Sequence, residues 1–307
     1  MKAAIGLTAA AAVLGPATLA AATRGWWWAA LSIAALTIAL FVVAGRRGRP
    51  TWTPLTVGFL VGLTVFAAWL SPHGPMAAAA PGGVHPLGTD HLGRDILARL
   101  MLGNRTSVLI AAAAAGLSSV LGVAFGALLS LLPPRFRFAG DVPLQVFLSL
   151  PVLLFYLIGL ALFPAGPNTL ILLMGFTLWP ELARLVQERL ESLRQAPFVV
   201  AAHARGDGAV QVFRRELLPN LTGLVATYLL LNFISAILLE SILSYLGLGL
   251  PLGTPSLGAL LHECAGLFEH RMAPLAAVFG LLTAYVGGLR LAIRSLQRRT
   301  VPHLAVS

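Results

Sequence analysis

Cysteine is nearly absent from this chain: Cys264 is the only one in 307 residues. That excludes an internal disulfide framework and any metal centre built from several thiolates. Lysine is as scarce, since Lys2 stands alone near the N-terminus. A phosphate loop of the GxxxxGK[ST] form needs a lysine after its second glycine, so no such loop exists here and any nucleotide must be bound by another chain. Charged residues make up only 10% of the sequence, and Asp and Glu together number 11. The strings HExxH and GxSxG are both missing, and no catalytic residue is expected.

What is abundant is apolar surface. Hydrophobic residues make up 58% of the chain and the mean hydropathy is +0.86. A soluble domain of this size cannot bury so much apolar area, so the bilayer is the solvent. The expected fold class is all-α, a polytopic membrane helical bundle, because helices satisfy their own backbone hydrogen bonds in lipid. About 20 apolar residues cross the hydrocarbon core. The sequence offers such spans at about 3–22, 26–44, 54–71, 106–132, 142–163, 168–186, 221–244 and 273–293.

With the N-terminus inside, Lys2, Arg46, Arg47, Arg49 and every arginine from Arg135 to Arg215 and Arg290 to Arg299 fall on the cytoplasmic side. Only Arg24, Arg94, Arg99, Arg105 and Arg271 fall outside. This is the positive-inside pattern, and it places both termini in the cytoplasm. It also accounts for the net charge of +10 without a nucleic-acid partner; the anionic leaflet is the partner of those charges. Residues 1–50 read as a transmembrane hairpin closed by the basic linker Arg46-Arg47-Gly48-Arg49-Pro50, and residues 51–307 as the six-span transmembrane core. Ala20-Ala21-Ala22 also fits the cleavage site of a secretory signal. The long apolar stretch, with a second span directly behind it, favours the hairpin. Gly58-x-x-x-Gly62 and Gly122-x-x-x-Gly126 suit close helix packing in lipid.

Three polar segments interrupt the apolar runs. Residues 85–105, HPLGTDHLGRDILARLMLGNR, place Asp90 where it can cap a helix starting near His91. Leu92, Ile96, Leu97, Leu100 and Met101 form an apolar stripe along it, which reads as an amphipathic helix lying on the outer surface before the span at 106–132. Residues 197–220, PFVVAAHARGDGAVQVFRRELLPN, read as a short helix over Val199–Arg205 and a stop at Gly206. A second helix follows over Ala209–Leu218, with Asp207 at its start and Pro219 ending it. Val210, Phe213 and Leu217 share one face of the second helix, with Arg205, Arg214, Arg215 and Glu216 on the polar side. An apolar knob with charged flanks suits a partner's groove. In the last third, Glu240 is an ionisable group near the outer end of a span, where such groups are costly and functional by default. His262, Glu263 and Cys264, with His73, His85, His91 and His270, match no metal-ligand spacing, and no metal site is expected.

These strings carry a family resemblance. His85-Pro86-Leu87-Gly88-Thr89-Asp90, Leu92-Gly93-Arg94-Asp95 and Ala98-Arg99-Leu100 closely resemble the HPLGTDxxGRDxxSRL signature of the second permease subunit in peptide- and nickel-type ABC importers, with Ala98 in place of serine. Ala201, Ala202, Gly206 and Leu217-Leu218-Pro219 resemble the cytoplasmic EAA loop of ABC-importer permeases, with Val200 where the family usually keeps glutamate. Glu240 to Gly249 and Thr254-Pro255-Ser256-Leu257-Gly258 resemble the element around ExxLSFLGLG.

The resemblance implies a multi-pass permease subunit in a bacterial inner membrane, working by alternating access. Its implied partners are a second permease subunit, two ABC ATPase subunits that bind ATP and Mg, and an extracytoplasmic solute-binding protein. The implied cargo is a peptide or a related small solute, nickel included. A coupling loop at 187–220 would dock on the ATPase through Ala201, Ala202, Gly206, Asp207, Phe213, Arg214, Arg215, Leu217 and Pro219. The outer signature residues His85, Gly88, Thr89, Asp90, Gly93, Arg94, Asp95 and Arg99 would order segment 85–105 against the second permease. Glu240 and Ser244 become candidates for a gate or pathway. The alternative, a stand-alone secondary transporter, needs ionisable residues in mid-membrane and internal repeats. Acidic residues inside the expected spans are almost absent.

Overall fold

The computed structural model describes residues 87–90, 92–251, 253–266 and 272–300. The expected hairpin at 1–50, the span at 54–71 and the Gly58/Gly62 pair lie outside them. Within the described residues the regular elements are all helical. They are α1 (Ile96–Leu131), α2 (Pro134–Ser149), α3 (Val152–Leu162), α4 (Pro167–Thr177), α5 (Trp179–Arg194), α6 (Pro197–Ala204), α7 (Ala209–Val212), a π-helical turn at Phe213–Leu217, α8 (Leu218–Tyr245), α9 (Leu257–Ala265) and α10 (Ala273–Thr300).

Four stretches are long and apolar enough to cross a membrane: Ile96–Leu131, Pro167–Arg194, Phe213–Tyr245 and Ala273–Arg294. A bent pair, Gly140–Ser149 with Val152–Leu162, would make a fifth. Helix α1 is the axis of the bundle and packs on α5, α8, α4 and α9. Its middle, Ala111 to Ala115, is buried, and small side chains there bring the neighbouring backbones close. A Cβ added at Gly122 would lie 2.9 Å from Leu182, and one at Gly126 would run into α5 at Ala183 and Val186. The second GxxxG pair therefore packs α1 on α5.

Four expectations need correction. The amphipathic segment at 92–101 is no separate surface helix. It is the first turns of α1, because nothing between Arg99 and Thr106 breaks the helix. Asp95 and not Asp90 caps it, accepting the Leu97 N–H at 2.9 Å. The span at 142–163 is broken, since Pro151 forces Leu150 into extended backbone (φ −83°, ψ 139°) and the two halves meet at 88°. The span expected at 168–186 is too short, because α5 runs on to Arg194; its apolar face buries Leu190 and Leu193 beyond the expected span end. Lastly, Pro219 does not end a helix. The chain is helical from Phe213 to Tyr245, and Pro219 sits in the first turn of α8. A proline there lacks the N–H that would meet the Arg215 carbonyl. The preceding π turn widens the coil at that point, with the Leu218 N–H bonded to the Phe213 carbonyl five residues back.

Candidate functional site

Two sites emerge at opposite ends of α1. The first, near its C-terminal end, is the stretch from α6 through the π turn. Helix α6 stops in a Schellman arrangement: Gly206, at φ +86°, donates to the His203 carbonyl at 2.9 Å, and Asp207 N–H reaches the Ala202 carbonyl at 3.2 Å. The sharp stop turns the chain so that α7 and the π turn pack on α6, and the π turn on α5. Val199, Ala202, Val212 and Leu217 then bury themselves with Leu182, Val186, Leu190, Leu193 and Leu221. Removing a side chain such as Val or Leu from water contributes about 1.5–3 kcal/mol, so the loop carries a small core of its own.

That packing sorts the expected docking residues. Leu217 and Ala202 are buried, and Phe213 is half-buried against the same cluster, so Phe213 and Leu217 of the expected knob face inward. The surface left outside is a different one: Phe198, Val200 and Ala201 on α6, with Gly206, Arg214, Arg215 and Pro219 also exposed. Arg205 pairs with Asp207 at 3.1 Å and Glu216 at 3.5 Å, which ties both ends of the loop together and occupies its two acids. At such exposure these pairs set geometry more than stability. The side chains of Arg214 and Arg215 make no ion pair among the described residues. The outward face is therefore apolar and basic.

The second site surrounds the start of α1. Gly88 and Gly93 turn the chain with positive φ, and Thr89 bridges to Asp95. Asp90 is buried and accepts four hydrogen bonds: from the Leu92 N–H at 2.9 Å, Arg94 N–H at 2.8 Å, Arg94 Nε at 2.7 Å and Arg99 Nη1 at 2.6 Å. Burial works against its charge, but these donors outweigh it and hold the carboxyl below the usual carboxylate range. Arg99 is buried as well, and its Nη2 donates to Glu263 on α9 at 2.7 Å. His85 lies outside the described residues. Arg99 and Glu263 each stand out in the sequence, but no spacing rule pairs residues this far apart in the chain.

Glu240 is fully buried on α8. One carboxyl oxygen accepts from Ser244 at 2.7 Å, and Ser107 and Ser256 are within hydrogen-bonding reach. Its other oxygen has no hydrogen-bond partner among the described residues. Glu240 and Ser244 are thus brought together, and both are buried. Among the described residues no group of three His, Cys, Asp or Glu side chains could hold a metal ion, and Glu263 is already engaged by Arg99.

Residues 118–302 match the profile of a family described as "Binding-protein-dependent transport system inner membrane component". A peptide permease protein of Brucella suis biovar 1 is 34% identical over 187 residues, 60% of this chain and 61% of that one. The match thus spans less than two thirds of that relative's length. The oligopeptide transport system permease protein OppC of Haemophilus influenzae is 32% identical over 233 residues, 73% of this chain and 74% of that one. The dipeptide transport system permease protein DppC of Bacillus subtilis is 29% identical over 211 residues, 67% and 66% of the two chains. Among solved structures, a chain of the inward-facing MetNI methionine ABC transporter superposes with a TM-score of 0.56 at 18% identity, covering 66% of this chain and 96% of that one. At that identity the likeness is one of fold.

Proposed function

We propose that this chain, which belongs to the family of binding-protein-dependent transport system inner membrane components, is a permease subunit of an ATP-driven importer that moves peptides or a related small solute by alternating access. The relatives named as oligopeptide and dipeptide permeases support the cargo class. The family description supports the inner membrane as its place and a solute-binding protein as its supplier. The basic residues of the loop support an orientation with α6 and the π turn in the cytoplasm. A second permease and two ATPase subunits complete the assembly, and ATP and Mg belong to the ATPases.

One observation carries the coupling role: the polar loop is folded on its own core and still presents Phe198, Val200 and Ala201 outward between exposed arginines. A polar segment that spends its apolar core on self-packing moves as a rigid body with α5 and α8. It can therefore pass a partner's motion directly into two spans. The matching ATPase groove has an apolar floor for Phe198 and Val200 and an acidic rim for Arg214 and Arg215. That polarity also suits Val200 itself, where a glutamate would face such a rim unfavourably.

Replacing the exposed Phe198 with Asp should cut co-purification of the ATPase subunits by about tenfold or more, as loss of a buried apolar anchor does, with membrane insertion unchanged. Phe213→Asp should instead destabilise the loop itself. Undiminished ATPase recovery with Phe198→Asp would contradict docking through this face.

A further inference from the structure

Helix α9 is short and ends at both sides on polar groups that the transport reading leaves unused. It runs antiparallel to the outer half of α1. The Ser107 hydroxyl accepts the Leu257 N–H at 3.0 Å, Gly103 lies beneath Ser256 and Leu260 (an added Cβ would be 2.9 Å from each), and Arg99 holds Glu263 at 2.7 Å. Ser107 lies 11 residues into α1, about 16 Å along its axis at 1.5 Å per residue. Arg99 lies within the first turn. The N-terminus of α9 is therefore deep in the bundle and its C-terminal end is at the outer rim.

A buried helix start carries roughly half a positive charge and several unsatisfied N–H groups. Here Ser256 caps it through the Ala259 N–H at 3.1 Å, and Glu240 stands beside it, within reach of Ser107 and Ser256. Gly258, in the first turn of α9, sits so close to the Ser241 backbone that an added Cβ would run into it, which ties this end to α8 beside Glu240. The two ends differ in what release would cost. Parting Glu263 from Arg99 leaves Arg99 still paired with Asp90 at 2.6 Å, and the Glu263 side chain, already 24% exposed, can turn to water. Parting the inner end would leave the buried Leu257 N–H and Ser107 hydroxyl unpaired and open the close contact of Gly258 on the Ser241 backbone, a costlier state. The connection before α9 supplies freedom to swing, with Gly247 at φ +74° and Gly253 at φ +88°.

We infer that α9 is a flap over the outer mouth, hinged at its buried N-terminus by Glu240, Ser107 and Ser256 and latched at its rim by Arg99 and Glu263. The latch opens first and α9 swings outward on the hinge. Opening to the outside is where the transport cycle would use it, so the placement of this end rests on the orientation proposed above.

The chain contains its own reporter, because the sole cysteine, Cys264, is buried on α9 next to the latch. The test is the rate of Cys264 labelling by a membrane-impermeant maleimide, in right-side-out and inverted vesicles holding the assembled complex. Burial and the Glu263 carboxylate push the Cys264 thiol up, while the Arg99 cation pulls it the other way. Electrostatics alone would therefore speed labelling in Glu263→Gln and slow it in Arg99→Gln. A released latch speeds both, by about tenfold or more as the local opening equilibrium shifts. Recovery of the partner subunits at the wild-type level checks that each variant is assembled. Faster labelling in both variants is the expected result, and unchanged or slower labelling in Arg99→Gln overturns the flap. Acceleration confined to inverted vesicles would keep the flap and overturn the orientation instead.

Discussion

Asp90 and Gly206 show how single residues hold the two functional ends. Asp90 gathers two arginines and two backbone N–H groups. Its folded pKa is lowered, so its contribution is complete above the ordinary carboxylate value of about 3.9 and is lost only as pH falls through the lowered value. Proteolysis of the outer segment should thus be flat from pH 8 to about 5 and should rise sharply below about 4; Asp90→Asn should make it fast at every pH. Gly206 needs its glycine for a different reason. No atom lies within 4 Å of where a Cβ would sit, so the constraint is the left-handed backbone alone. Gly206→Ala should cost about 1–2 kcal/mol of loop stability, read as faster hydrogen exchange in 197–217 and not in α1. Both residues stand out in the sequence, but Asp90 as a helix cap. Its bond to Arg99 is not legible from a local capping rule, because Arg99 lies nine residues along the chain from Asp90.

At the scale of elements, the existence of the helices was more legible than their ends. Hydropathy finds the centre of a span, where lipid contact demands apolar residues. It is blind to the polar turns at either end, which is why α1 starts at Ile96 and α5 persists to Arg194. Pro151 marks the break, yet the apolar run around it reads as one span, because hydropathy averaged over about 20 residues hardly registers one proline. The π turn at Phe213–Leu217 had no local signal except Pro219 after it. Pro219→Ala restores the missing N–H and should let the turn relax to regular helix, rotating Arg214 and Arg215 by about 100° around the axis. Substrate-stimulated ATPase activity should then fall while assembly persists; full activity would show that the π turn does not set the docking register. Gly258→Ala places a Cβ against the Ser241 backbone and should lift α9 without removing any polar group. Cys264 labelling in that variant should match the latch variants.

For the whole molecule, the described residues give a helical bundle with spans of transporter length and the fold of an ABC importer permease chain. The family was legible because its signatures are short, ordered strings. The division of the apolar loop residues between self-packing and docking was not, since helical periodicity alone cannot say which of two faces meets the chain's own α5. This chain is expected to move solute only when ATPase partners act through loop 197–219. The test is uptake of a radiolabelled dipeptide into proteoliposomes, with this chain alone compared against the complete assembly of both permeases, both ATPases and the binding protein. The chain alone should show no uptake, the assembly should take up dipeptide only with ATP, and Phe198→Asp should abolish that uptake. Uptake by the isolated chain driven by an ion gradient would contradict this expectation.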